Sequence, residues 1–275
     1  MSSATRRNVI KSAGAGMATM FMGAEVLDPR QVLGQPTSKD SARTNDAPSN
    51  VMAIAGHAGD AFFAMGAPVA VATHSGGQGS LLSLSLGEKG SSVIPPARYG
   101  KMLRSAAQKA AALIGANALF LHYPDGEVPV NNEAAFAVCD FIRQYKPETI
   151  VTHWKGSWHK DHRACYDIVQ DAVFYAGVSG FVRDYPAHEV SSLFFADNWE
   201  DATGFVPDTY LDITPVCDRW LAACSAFPMW RGETGFRYND YYASRAVACG
   251  CLSHFDRAVC LMSPEGQQVQ NTRAL

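Results

Sequence analysis

Short apolar runs alternate four times with segments of helical periodicity between residues 51 and 176. The apolar runs, bounded mostly by Gly, Pro or polar residues, predict buried strands at 51–55, 81–86, 118–122 and 148–153. Apolar and small side chains at helical spacing predict helices at 60–74, 98–114, 133–145 and 161–176. The alternation predicts an α/β fold, with a Rossmann-like, largely parallel sheet and helices on both faces.

The pattern weakens after residue 181. Residues 193–195 and 210–213 predict two short strands, and residues 214–227 predict a helix. The segment from Met229 to Tyr242 is rich in aromatic and basic residues. It suits either a lid that faces a polar ligand, such as a sugar, or a packed C-terminal cap. We therefore expect the sheet to be followed by a C-terminal cap.

The N-terminal 34 residues predict a targeting segment. Arg6 and Arg7 precede Lys11 and a modestly apolar stretch over residues 12–27, as in a secretory signal. The paired arginines resemble a twin-arginine (Tat) export signal, and a disordered basic tail is the alternative. We expect residues 1–34 to be this signal, 35–50 a polar linker and 51–275 the folded domain. The protein would then use the Tat translocase and become periplasmic or secreted.

Charge and cysteine content narrow the possible partners. The net charge is −3, and no basic tract follows the N-terminus, which argues against a nucleic-acid partner. No apolar run reaches the roughly 18 residues that would predict a stable membrane span. The seven cysteines form no Cys-x-x-Cys motif. Cys249-Gly250-Cys251 is predicted to lie buried in a C-terminal helix rather than to bind a metal.

Polar side chains cluster just after the predicted strands. The C-terminal ends of parallel strands meet at one rim because the crossovers between them are right-handed. Imidazole and carboxylate groups at that rim indicate a divalent metal, with zinc the first choice. Three protein ligands and one open position are typical of a catalytic zinc site. The residues that follow strand ends are His57, Asp60, Glu88, Asp125, His153, His159 and His162.

Five segments, in order, resemble the motifs of the PIG-L/LmbE-like de-N-acetylase family. They are Gly56-His57-Ala58-Gly59-Asp60, Ser85-Leu86-Gly87-Glu88-Lys89-Gly90, the Arg-containing helix that ends at Ile114-Gly115, Pro124-Asp125-Gly126, and His159-Lys160-Asp161-His162. The resemblance covers residues 51–176, whereas the C-terminal third matches only loosely. It implies an LmbE-like fold and zinc-dependent removal of an N-acyl group, such as acetyl, from an amino sugar or glycoconjugate.

The resemblance also implies roles for individual residues. His57, Asp60 and His162 would be the metal ligands. His159 would act as general acid or stabilise the oxyanion, and Asp161 would tune or orient it. The other residues given a role are Glu88 as a catalytic carboxylate and Arg104, Arg98 and Asp125 as substrate contacts.

Gly59 departs from the family pattern, because the family has an Asp there that is expected to act as general base. Loss of a general base commonly costs about 100- to 10,000-fold in rate. Three interpretations stay open: Glu88 or Asp125 takes over, His159 serves as both base and acid, or hydrolysis has been lost. The expected function is an exported metal-dependent hydrolase, and the alternative is a non-catalytic metal- or carbohydrate-binding protein.

A nucleotide-dependent Rossmann enzyme is disfavoured. No Gly-x-Gly-x-x-Gly motif follows the first strand, and His57 and Asp60 occupy the place where phosphates would bind.

Overall fold

The structure is a computed structural model that describes residues 49–264 and 270–275. The predicted targeting segment 1–34 and nearly all of the predicted linker 35–50 lie outside the described residues. Within the described part, no helix is both long enough and apolar enough to cross a bilayer.

Eight strands form one sheet in the order β3-β2-β1-β4-β5-β7-β6-β8. Strands β1 to β5 pair in parallel, β7 runs antiparallel to β5 and β6, and β8 runs parallel to β6. The strands are β1 Val51–Ala55, β2 Gly79–Ser83, β3 Asn117–Phe120, β4 Thr149–Thr152, β5 Ser192–Ala196, β6 Thr209–Asp212, β7 Ala258–Met262 and β8 Gln270–Thr272.

Seven α-helices and one 3₁₀ turn accompany the sheet in the described residues. They are α1 Ala58–Phe63, α2 Gly66–His74, α3 Pro96–Leu113, α4 Asn132–Tyr145, α5 Lys160–Gly177, the 3₁₀ turn Trp199–Asp201, α6 Cys217–Cys224 and α7 Tyr238–Ser253. The mostly parallel α/β architecture predicted from the sequence is thereby confirmed.

The strands in the middle of the sheet are covered on both faces. In β1, Val51, Ala53 and Ala55 pack into one apolar cluster, whereas Met52 and Ile54 pack into another with α4 and α5. Because both faces are buried, the strand is a continuous apolar run rather than an alternating one. Strands β1 and β4 are neighbours at the point where the strand order reverses, which is where open α/β sheets place their ligands.

One predicted helix is divided in the structure. The single helix predicted over residues 60–74 is two helices, α1 and α2, separated at Ala64 and Met65. Pro68 explains the break, since inside one continuous helix its ring would clash with the carbonyl group of Ala64 four residues earlier. In the first turn of α2 the missing N–H of Pro68 leaves no helical hydrogen bond unmade.

The C-terminal third extends the sheet through β6, β7 and β8 and adds α6 and α7 to one face. Strand β7 was not predicted, and α7 was expected only as a C-terminal helix that contains Cys249-Gly250-Cys251, without bounds. Helix α7 begins inside the aromatic segment, and its apolar residues do not fall on one face. Cys249 and Cys251 lie on α7 as predicted, but only Cys249 is buried, whereas Cys251 is exposed.

Candidate metal centre

Three ligand atoms from two loops form a nearly equilateral triangle at the end of β1. Asp60 Oδ2 lies 3.1 Å from His57 Nδ1 and 3.1 Å from His162 Nε2. The two imidazole nitrogens are 3.2 Å apart. His57 immediately precedes α1 and Asp60 lies in its first turn, while His162 lies in the first turn of α5 after β4. The structure thus brings together the three residues predicted as metal ligands.

The triangle has the dimensions of one face of a tetrahedral metal site. With zinc–ligand bonds of about 2.0–2.1 Å, neighbouring ligand atoms of a tetrahedron lie about 3.3 Å apart. Two imidazole nitrogens and one carboxylate oxygen are also a donor set that zinc favours. The residues present therefore fit a tetrahedral divalent cation with one remaining position.

Each of the two histidines contacts a carboxylate through the ring nitrogen that is not part of the triangle, and this contact determines which nitrogen is available to a cation. Asp201 Oδ1 accepts a hydrogen bond from His162 Nδ1 at 2.9 Å, so His162 Nε2 keeps a lone pair for a cation. On the other side, His57 Nε2 lies 3.2 Å from both Asp161 Oδ2 and Asp125 Oδ1, which leaves Nδ1 for the triangle. Carboxylate–histidine–metal arrangements of this kind orient the ligand and raise its basicity.

Asp201 also binds a second histidine. His153 Nδ1 donates to Asp201 Oδ2 at 2.7 Å, and His153 Nε2 accepts the Gly56 N–H at 3.0 Å. His153 is fully buried, and burial is the main reason that its pKa is lowered. With both ring nitrogens already engaged, His153 supports the loop after β1 and does not face the triangle.

The electrostatic environment favours a cation between the ligands. Burial alone would lower the pKa of His162, but the charge of Asp60 and the hydrogen bond to Asp201 raise the pKa of His162 to about 9. Burial likewise opposes ionisation of Asp161, yet hydrogen bonds from His57 and from the Gly126 N–H lower the pKa of Asp161 to about 2. Carboxylates that stabilise a proton on an imidazole nitrogen also stabilise a metal ion at that nitrogen.

His159 lies beside the triangle as a neutral hydrogen-bond donor. Its ring is 4.6 Å from the His57 ring and 4.7 Å from the His162 ring, measured between centroids. Nδ1 accepts the N–H of Asp161 at 3.2 Å, so the remaining proton lies on Nε2. Burial and the nearby His57 and His162 charges lower the pKa of His159 to about 4. A neutral Nε2–H suits oxyanion stabilisation better than proton donation as a general acid.

The resemblance implies that Asp161 tunes or orients His159. The charge of Asp161 does act on His159, where it opposes the larger effects that lower the pKa, but within the described residues its carboxylate makes no hydrogen bond to that ring. Its carboxylate accepts the Gly126 N–H at 2.6 Å and the Val128 N–H at 3.4 Å, and it faces His57. Only the backbone N–H of Asp161 contacts His159. Asp161 is therefore a positioning residue for His57.

The residues predicted as catalytic carboxylate or substrate contacts lie around the triangle rather than in it. Glu88 accepts the Asp125 N–H at 2.9 Å and the Ser85 hydroxyl at 3.3 Å, so both of its oxygens are engaged. Arg104 stacks over the Phe120 ring, and Arg98 lines an open surface depression beside α3. The structure shows no hydrogen bond or ion pair between either arginine and the triangle.

A third loop, after β5, supplies site residues that were not predicted. Asn198 Nδ2 donates to Asp60 Oδ1 at 3.2 Å, and Glu200 Oε2 lies 3.4 Å from His162 Nε2. Burial and the Asp60 charge raise the pKa of Glu200 to about 7. Asn198, Glu200 and Asp201 follow a predicted strand directly, so the strand-end rule applied at residues 193–195 would have found them.

The position of the missing family carboxylate is enclosed by apolar side chains. A Cβ atom on Gly59 would lie 3.2 Å from Met229 Cε and 3.3 Å from Phe63 Cε2. Both neighbours are ends of side chains, and Met229 is flexible, so the site has limited room for a larger residue.

Aromatic side chains border the centre on its open side. Trp158 is 63% exposed, and its ring lies 5.5 Å from the His159 ring and 6.1 Å from the Trp199 ring. Trp199 in turn stacks on Phe236 with a centroid distance of 4.3 Å. Part of the segment 229–242 therefore lines the approach to the centre, while Trp230 and Tyr242 from the same segment pack in the core.

Comparison with known proteins gives a family match and two kinds of relative. Residues 52–173 match the family described as PIG-L, GlcNAc-PI de-N-acetylase. The 4-oxalmesaconate hydratase of Pseudomonas putida is 24% identical over 197 residues, which cover 68% of this chain and 76% of the relative.

Solved structures with the same fold also include both enzyme kinds. GalB, the 4-carboxy-2-hydroxymuconate hydratase of Pseudomonas putida KT2440, matches with a TM-score of 0.72 and 20% identity over 80% of this chain and 97% of that one. N,N'-diacetylchitobiose deacetylase of Pyrococcus horikoshii matches with a TM-score of 0.65 and 16% identity over 78% and 82%. These likenesses confirm the predicted LmbE-like fold.

Proposed function

We propose that this chain, which carries a PIG-L-family domain over residues 52–173, is an exported metal-dependent hydrolase. It would remove an N-acyl group, such as acetyl, from an amino sugar or a glycoconjugate. The observation that carries the proposal is the triangle of His57, Asp60 and His162, whose atoms lie 3.1–3.2 Å apart beside a neutral His159. The family match and the deacetylases that share the fold support the same reaction class.

The residues of the triangle would hold zinc or another divalent cation. A cation bound there supplies Lewis-acid chemistry, which polarises a carbonyl group and makes water more acidic. Asp201, Asp161 and Asp125 keep the two histidines oriented for it. His159 Nε2–H is placed to donate to the oxygen that becomes negative when an amide carbonyl is attacked.

The aromatic border supports a sugar ring as the substrate. Exposed aromatic faces beside a polar centre bind the apolar faces of sugar rings, and Trp158, which is 63% exposed, offers such a face next to His159. The centre itself carries the carboxylates of Asp60, Asp125, Asp161, Glu200 and Asp201. Such a charge distribution favours an uncharged substrate over one with several carboxylates.

Hydration of a carbon–carbon double bond is the second candidate. It is favoured by the hydratase relative, which shares 24% identity, and by Gly59, which lacks the carboxylate expected of a deacetylase at that position. The same metal centre can serve either reaction, because both add water to an unsaturated carbon.

One experiment separates these functions. Purified protein would be analysed for bound metal, for acetate release from N-acetylglucosamine and di-N-acetylchitobiose, and for loss of ultraviolet absorbance with unsaturated dicarboxylates. We expect one metal ion per chain and acetate release. Hydration without acetate release would favour the second candidate. Metal without either activity would favour the non-catalytic binding protein.

Export is a separate part of the proposal and rests on Arg6 and Arg7. Replacing both with lysine should keep the protein in the cytoplasm of a bacterial host with a Tat translocase. Cell fractionation would measure this, and unchanged export of the double variant would contradict the Tat assignment.

A further inference from the structure

We propose that Glu200 is the general base that Gly59 cannot be. This inference rests on the proposed hydrolase function. It identifies the residue that takes a proton from the attacking water, at a position outside residues 52–173, which match the family.

The first argument is the position of the carboxylate. Glu200 Oε2 lies 3.4 Å from His162 Nε2, one of the three atoms of the triangle. In a tetrahedral site the fourth position also lies about 3.3 Å from each ligand atom, so that position and the Glu200 carboxylate both border His162 Nε2. The Glu200 side chain is 13% exposed, which leaves it open to substrate and water but largely enclosed.

The second argument is that the other carboxylates of the centre are already committed. Glu88 accepts two hydrogen bonds, and Asp161 accepts two backbone N–H groups and faces His57. Asp125 accepts the Lys89 N–H and also faces His57, and Asp201 binds two imidazoles. In the described part of the chain, the Glu200 carboxylate makes no hydrogen bond or ion pair apart from the His162 contact.

The third argument is that the backbone of Glu200 is held firmly in place. Its N–H donates to Asn198 Oδ1 at 3.1 Å, and its carbonyl oxygen accepts the Trp158 N–H at 3.2 Å. Asn198 and Asp201 on either side bind Asp60 and His162. The side chain is thus carried on a turn that is tied to two of the three metal ligands, which is how a catalytic group is kept in register.

The proposed step balances without any further reactant. The water oxygen forms a bond to the amide carbonyl carbon, its proton passes to Glu200, and the carbonyl π electrons move onto the carbonyl oxygen, which His159 stabilises. The electron pair on the oxyanion then re-forms the carbonyl bond while the C–N bond breaks with its electron pair moving to nitrogen, and nitrogen takes the proton back from Glu200. One water is consumed, and a carboxylic acid and an amine are released.

Glu200→Gln tests the assignment, because it keeps the shape of the side chain and removes its basicity. We expect Glu200→Gln to retain one metal ion per chain and to lower kcat about 100- to 10,000-fold with little change in KM. Glu189→Gln is the matched control. Glu189 is exposed and precedes the N-terminal end of β5, whereas Glu200 follows the C-terminal end of the same strand. It should match the wild type in metal content and rate.

Chemical rescue separates a base from a structural role. Added formate should restore part of the activity of Glu200→Ala, because formate supplies a carboxylate in the vacated space, whereas a purely structural residue would not respond.

Each other outcome has a distinct meaning. Loss of metal from Glu200→Gln would make Glu200 a ligand and overturn the proposal. Full activity of Glu200→Gln alongside an active wild type would overturn the Glu200 assignment alone. A wild type that binds metal but hydrolyses no N-acyl sugar would overturn the proposed function, and the Glu200 proposal with it.

Discussion

Asp201 Oδ1 accepts a hydrogen bond from His162 Nδ1 at 2.9 Å, and this contact determines which nitrogen of His162 faces Asp60. The second oxygen of Asp201 binds His153, so one carboxylate links the loops after β4 and β5. In Asp201→Asn, the amide N–H₂ would face the N–H group of either His153 or His162, so one of these two hydrogen bonds would be lost. We expect the metal dissociation constant to rise about 10- to 100-fold.

Competition with a chelator of known affinity would measure this change. Asp171→Asn is the matched control, because Asp171 is exposed on α5. Equal dissociation constants for Asp201→Asn and the wild type would show that Asp201 does not tune the centre.

Removal of a predicted ligand should abolish stoichiometric metal binding. Asp60→Ala and His162→Ala each delete one atom of the triangle, which leaves two protein ligands where three are needed. Elemental analysis after dialysis should find far less than one metal ion per chain. His74→Ala, an exposed histidine at the end of α2, should retain the metal. If both ligand variants keep one metal ion per chain, the site assignment is wrong.

Gly156 is a position where two site-bearing loops touch. A Cβ atom there would lie 1.8 Å from the carbonyl oxygen of Thr203, which is backbone and cannot rotate away. Gly156→Ala should lower the free energy of unfolding by about 3 kcal/mol and weaken metal binding, because Thr203 follows closely after Asp201.

Urea denaturation of the metal-loaded protein would test this expectation. Gly177→Ala provides the comparison, since a Cβ atom on Gly177 would meet nothing within 4 Å. It should be neutral or slightly stabilising, and an equally small effect at Gly156 would mean that the two loops move apart easily.

Arg143 stabilises the far end of the helix that carries His162. The side chain is 1% exposed and donates to the carbonyl groups of Ala176, Phe181, Tyr185, Tyr175 and Val178. Arg143→Met would leave these buried acceptors without donors, at a cost of about 3 kcal/mol in the free energy of unfolding.

The exposed Arg231 offers a control for this substitution. Arg231→Met should change stability by less than about 0.5 kcal/mol in the same denaturation experiment. A stable Arg143→Met variant would indicate that water replaces the guanidinium group.

The parallel half of the fold could be predicted because each of its elements carries a local signal. Strand β1 is a continuous apolar run that is bounded by glycine and polar residues. Helix α4 begins after Asn131, whose side chain caps it by accepting the Ala134 N–H. In contrast, the bounds of α7 could not be predicted, because apolar residues such as Val247 and Leu252 occupy exposed positions and obscure the helical spacing of its buried residues.

The candidate site divides in the same way. His57, Asp60 and His162 stand at strand ends within motif-like segments, so their meeting at one rim could be predicted. The direction in which Asp161 and Glu88 point could not, because it depends on N–H groups from a different loop, at Gly126 and Asp125. The contribution of Glu200 was missed because the loop after β5 lies beyond the residues that resemble the family.

The separation of the ligands along the chain sets the order of events during folding. His57 and His162 are 105 positions apart, and Asp60 and its partner Asn198 are 138 positions apart. Bringing them together requires closure of long loops and pairing of β1 with β4, both of which are slow steps. A cation at this site would therefore not nucleate the fold as it does in a zinc finger. It would bind only after the ligands have come together, and would then stabilise the folded chain in proportion to its affinity.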